Sequence, residues 1–122
     1  MKFALIAHDV KKVDMVAFVM KRLEFFNRAD VDIVATGTTG KRILHAGVEK
    51  VQTVNSGPMG GDAEIGSMVA KGELEGVIFF RDPLDRHPHE PDVQMLMRLC
   101  DVHDVPLATN YKSAHILVKH YA

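Results

Sequence analysis

Short apolar runs alternate with longer segments of helical spacing along the whole chain, and this alternation is the strongest constraint on its fold. Phe3 to Ala7, Val31 to Ala35, Val51 to Val54, Val77 to Phe80 and Val105 to Ala108 read as five strands. They have few polar interruptions, as expected of strands covered on both faces and paired in parallel. Between them, Val13, Val16, Ala17, Met20 and Leu23 recur at helical spacing, as do Ile65, Met68 and Val69, and again Val93, Leu96, Met97 and Cys100. Ile43 to Ala46 and Ala114 to Val118 suggest shorter helices. A β-α unit repeated five times with right-handed crossovers gives an α/β fold: a single domain over residues 1–122, doubly wound, with a mainly parallel five-stranded sheet and helices on both faces. A chain of 122 residues buries about two thirds of its unfolded surface, so the core needs no staple. The lone Cys100 agrees, since one thiol makes no internal bridge.

Charge excludes some partners. Fifteen Lys and Arg against 16 Asp and Glu leave a net charge of -1, which gives no bulk attraction for nucleic acid or an anionic membrane. No run approaches the ~18 apolar residues of a membrane helix, and the apolar stretch at the start is too short for a signal peptide. A cytoplasmic location is expected, and any recognition of anions must be local.

In a doubly wound sheet, ligands bind beyond the carboxyl ends of the strands, so the loops there carry the chemistry. His8 and Asp9 follow the first strand, with Lys12 in the first turn of the next helix. Asp9 suits a helix cap, but a lysine at a helix start opposes the macrodipole unless an anion sits in front of it. After the second strand, Thr36-Gly37-Thr38-Thr39-Gly40 offers three hydroxyls and free amides at a helix N-terminus, a cradle for a small phosphate ester. It has neither the spacing of a P-loop nor a G-x-G-x-x-G. After the third strand comes Ser56-Gly57-Pro58-Met59-Gly60-Gly61-Asp62, in which Asp62 is either the N-cap of the third helix or a partly desolvated general base. The fourth loop, Asp82 to Asp92, holds three prolines, which stiffen the chain around His89 and Asp92. Its His87, His89 and Asp92 also permit a metal reading, although no third histidine or cysteine cluster completes a site. His45, His103, His115 and His120 fall in expected helices and suit surface or packing roles.

The strings Ala7-His8-Asp9, Ala35-Thr36-Gly37-Thr38-Thr39-Gly40, Ser56 to Asp62, Phe79 to Leu84, Pro88 to Val93 and Pro106 to Asn110 closely resemble the methylglyoxal synthase family, in order and from the first strand to the last helix. The resemblance implies cofactor-free conversion of dihydroxyacetone phosphate to methylglyoxal and inorganic phosphate, usually by a homohexamer. It implies phosphate binding by Lys12, Thr36, Gly37, Thr38, Thr39, Ser56 and Gly57. It implies a catalytic base at Asp62, substrate contacts at His8 and His89, and acidic positions lining the site at Asp9, Asp82 and Asp92. Longer members continue with a C-terminal segment, whereas this sequence ends at Ala122, so regulation that depends on such a tail is not expected to carry over.

The residues support a consistent chemistry. Asp62 would remove a proton beside the ketone, and His89 would polarise the ketone and move protons between the two oxygens, with Asp92 or Asp9 orienting a histidine. The cradle would hold the phosphate ester bond perpendicular to the enediolate plane, which favours elimination over isomerisation. Two further classes stay open at this point. One is an effector-binding module, since the regulatory domain of carbamoyl phosphate synthetase looks like the same fold; the other is a metal-dependent phosphohydrolase built on the fourth loop.

Overall fold

Alternate residues of the first strand go to opposite sides of the sheet, and this splits the interior into two cores. In the computed structural model, which describes residues 1–122, β1 (Lys2–Ala7) gives Phe3, Leu5 and Ala7 to one hydrophobic cluster and Ala4 and Ile6 to another. It is flanked by β2 (Asp32–Thr36) and β4 (Gly76–Phe80), with β3 (Gln52–Val54) and β5 (Leu107–Ala108) at the edges. The order is β3-β2-β1-β4-β5 and every pairing is parallel.

Six helices cover the two faces. The residues of α1 (Lys12–Met20), α2 (Leu23–Phe26), α3 (Gly37–His45) and α6 (Tyr111–Tyr121) pack into the first cluster, around Phe3, Phe18 and Ile43. Those of α4 (Gly61–Ala70) and α5 (Glu90–Val102) pack into the second, around Ile65, Phe79 and Leu96. The doubly wound α/β architecture is therefore the one expected, and the sheet is parallel throughout.

Several details differ from the expectation, each for a local reason. β3 is not covered on both faces: it is an edge strand with Gln52 and Thr53 exposed. β5 begins at Leu107 rather than Val105, because Val105 N–H donates back to the Cys100 carbonyl and Pro106 has no N–H to give. The first crossover is not one helix but a 3-10 turn at Asp9–Lys11, then α1, then α2. Within α1 the face chosen by spacing is the wrong one. Val13 and Met20 are exposed, while Met15, Phe18 and Val19 are fully buried. His103 lies just past the end of α5 rather than inside it.

Counting outward from β1, the chain runs to β2 and β3 on one side and then returns to β4 on the other. This reversal opens a crevice at the carboxyl ends of the central strands, the position where such sheets bind ligands.

Candidate active site

A cavity of about 360 Å³ opens at this crevice. The stretch from the end of β1 through the 3-10 turn to the start of α1 brings His8, Asp9 and Lys12; the β2-α3 junction brings Thr36 and Thr38; the stretch from the end of β3 into α4 brings Ser56, Gly57 and Asp62; and the loop after β4 brings His87 and His89. Four segments distant in sequence thus converge on one space. Of the other expected site residues, Thr39 is buried behind the wall with its hydroxyl turned to the Ala7 carbonyl at 3.5 Å, and Gly37, Asp82 and Asp92 do not line the cavity.

The threonine segment is helical sooner than its sequence suggests. Thr36 is the N-cap of α3 and makes no side-chain cap bond, so Gly37, Thr38 and Thr39 form the first turn. Their N–H groups have no carbonyl one turn back to pair with, and they face the positive end of the helix dipole. Lys12 adds the one full positive charge. Its buried Nζ donates to the Ala7 carbonyl at 3.1 Å and to Asp9 Oδ1 at 2.7 Å. The Asp9 carboxyl is held below its ordinary range, first by that hydrogen bond and then by the Lys12 charge. Asp9 therefore steadies the lysine rather than capping a helix through its side chain.

Asp62 is not a cap. Gly60, in the left-handed region at φ 94°, is the N-cap of α4, and Asp62 sits inside the first turn with no side-chain cap bond. The side chain is fully buried, and neither carboxylate oxygen has a hydrogen-bond partner. Burial pushes its pKa up; the nearby His89 opposes that shift and Asp92 adds to it. A desolvated carboxylate without donors is a stronger base than one in water.

His89 Nε2 stands 3.5 Å from Asp62 Oδ2, and its Nδ1 is buried without a partner. No hydrogen bond joins Asp92 or Asp9 to Nδ1, so the orientation of His89 comes from packing. Gly57 leaves the room: a Cβ there would lie 2.8 Å from His89 Nε2. His8 is fixed differently. The Asp82 backbone N–H donates to His8 Nδ1 at 2.8 Å. An N–H only donates, so Nδ1 carries no proton and the neutral ring has its hydrogen on Nε2. That Nε2 is buried without a partner. Burial, and after it the His87 and His89 rings, bring the His8 pKa down to about 4, so the ring is neutral near pH 7.

Spacing offered His87 only as a metal ligand. In the structure no three His, Cys, Asp or Glu side chains are grouped to hold an ion, which removes the geometry of the metal reading. His87 instead lines the cavity against His8, with ring centroids 4.1 Å apart. The His-Pro-His string marked the loop, but only the fold shows which ring His87 meets.

Against known proteins, residues 12–109 match the family model described as MGS-like domain. A methylglyoxal synthase of Carboxydothermus hydrogenoformans is 56% identical over 119 residues, covering 98% of this chain and 97% of that protein. One from Moorella thermoacetica is 54% identical over 120 residues, covering 98% and 92%. The crystal structure of methylglyoxal synthase from Elizabethkingia anophelis superposes with a TM-score of 0.87 at 41% identity, covering 96% of this chain and 76% of that one. The convergence of four loops on a buried carboxylate, three imidazoles and a helix N-terminus is thus met in a chain that belongs to the methylglyoxal synthase family.

Proposed function

We propose that this chain converts dihydroxyacetone phosphate to methylglyoxal and inorganic phosphate, without a cofactor, through an enediolate. The observation that most supports this reading is Asp62, a fully buried carboxylate with both oxygens unpartnered, set across a small polar cavity from a helix N-terminus and a lysine.

In this reading the phosphate group lies between Lys12, the first-turn amides of α3 at Gly37, Thr38 and Thr39, the Thr36 hydroxyl, and Ser56 and Gly57. Thr39 acts from behind the wall, through its amide. Asp62 takes a proton from the hydroxymethyl carbon, and the electron pair moves onto the ketone oxygen. His8, donating from Nε2, and His89 stabilise the charge that develops there; one preorganised donor of this kind is typically worth ~3 kcal/mol. His89 then passes a proton between the two enediolate oxygens. The oxygen left negative re-forms a carbonyl, the double bond shifts, and the C–O bond to phosphate breaks. The departing phosphate keeps that electron pair, and the released enol of methylglyoxal takes a proton on carbon to give the ketoaldehyde. A cradle that holds the C–O bond perpendicular to the enediolate plane aligns it with the π-system, so elimination outruns return of the proton. Asp9 holds Lys12, while Asp82 and Asp92 act on the site from outside the cavity, Asp82 through its amide on His8 and Asp92 through its charge on Asp62.

We also place the enzyme in the cytoplasm as a homohexamer, on the family resemblance.

Asp62→Asn tests the base directly. It removes the proton acceptor at constant size and breaks no hydrogen bond. Turnover is expected to fall by a factor of about 100 or more. The variant should be at least as stable as the parent near pH 7, because a carboxylate with a raised pKa costs folding free energy once it ionises. Near-normal turnover by a folded Asp62→Asn protein would remove Asp62 from the chemistry.

A further inference from the structure

His87 is the one side chain of the cavity wall with an imidazole that the proposed reaction leaves without a task. Its ring lies over that of His8, with centroids 4.1 Å apart and planes 31° from parallel. Its Nε2 is buried, makes no hydrogen bond, and stands 3.6 Å from Asp82 Oδ2. Asp82 therefore touches both rings, with its backbone N–H on His8 Nδ1 and its carboxylate facing His87. We propose that His87 is a positioning residue for the same reaction: stacked on His8 and facing Asp82, it holds His8 as an uncharged Nε2–H donor. The inference rests on the role given to His8 under the proposed function.

Two rings at this separation do not both carry a positive charge without strong repulsion. A proton on His8 would have to enter at Nδ1, which already faces the Asp82 N–H, and a second N–H pointing at the first is repelled. A proton on His87 meets a carboxylate. The Asp82 N–H thus closes His8 Nδ1 to a second proton, while the neighbouring His87 ring, which faces the Asp82 carboxylate, opposes positive charge on His8. The ionisable groups that face His8 are His87, His89, Arg81 and Asp82 from the loop after β4, Glu90 from the start of α5, and Asp9 from the turn after β1. Of these, only His87 combines a ring centroid within about 4 Å of the His8 ring with a nitrogen that faces the Asp82 carboxylate. Burial and the His87 charge lower the His8 pKa in the same direction.

The test follows the ring nitrogens of His8 by ¹⁵N NMR in the intact protein, without substrate, as pH is lowered. The parent is compared with His87→Phe, which keeps the stacked ring, and with His87→Gln, which keeps a polar group should the phenylalanine variant fold poorly. In the parent, Nδ1 should show the shift of an unprotonated nitrogen and Nε2 that of a protonated one. In both variants His8 is expected to take up its second proton about one pH unit higher, because the opposition from the His87 ring is gone while the attraction of the Asp82 carboxylate stays. An unchanged His8 titration in a folded variant, or a parent with the proton on Nδ1, overturns the proposal. Because no substrate is present, a protein inactive on dihydroxyacetone phosphate would sink the proposed function and leave this result standing.

Discussion

At the scale of single residues, the site works by withholding hydrogen bonds. Asp62, His8 and His89 each have buried polar atoms with nothing to pair with in the protein, and such atoms cost stability unless a ligand satisfies them. His8 gives this cost a pH signature. Its pKa is depressed from the ordinary imidazole value of 6.5 to about 4, so the fold prefers the neutral ring. The stabilising contribution is whole above pH 6.5 and is lost as pH falls through about 4. Melting temperatures of the ligand-free protein should therefore drop over that window, and His8→Asn should show a shallower fall; equal slopes would mean that His8 is not the group responsible. Asp62 was visible in the sequence as a residue with two possible roles. The structure removes the cap, since Gly60 and not Asp62 is the N-cap of α4, and leaves the base as the proposed role. His87 was legible as an imidazole near His89 but not as the neighbour of His8, 79 positions earlier in the chain.

At the scale of elements, the loops are set by close backbone approaches that glycine permits. A Cβ on Gly61 would collide with the Asn55 carbonyl, so the turn between β3 and α4 closes only with glycine there. Gly57 makes room for a side chain instead, the His89 ring. Gly57→Ala is therefore expected to leave the fold intact, push His89 away from Asp62 and lower kcat by about tenfold or more, since a misplacement near 1 Å costs up to two orders of magnitude. Parent-like kcat in Gly57→Ala would show that the His89 position is not critical. The helix faces were less legible than these loops. In α1, apolar residues go nearly all the way round, so spacing alone selected Val13, Val16, Ala17, Met20 and Leu23, whereas the sheet takes Met15, Phe18 and Val19. In α5 the pattern is one-sided, and Val93, Leu96 and Cys100 are buried as expected.

At the scale of the whole molecule, the parallel sheet puts the loops of the cavity on one edge, and the alternation of short apolar runs with helical segments made that much legible, although the third run, Val51 to Val54, is half polar and forms an exposed edge strand. A contact between copies is not written in the same way. The apolar side chains that α1 leaves outside, Val10 before it and Val13 and Met20 within it, are exposed by 66%, 69% and 55%. If the homohexamer forms through this face, the parent should elute at six times the 13.6 kDa chain mass and Val13→Asp with Met20→Asp at a smaller size. A monomeric parent by light scattering would refute the hexamer, and an unchanged hexamer in the double variant would move the contact elsewhere. The proposed chemistry is tested by incubating the purified protein with dihydroxyacetone phosphate in the presence of a chelator and following methylglyoxal, dihydroxyacetone and phosphate together. Methylglyoxal and phosphate should appear in equal amounts with the chelator present; dihydroxyacetone with phosphate, or no reaction at all, would rule out the elimination.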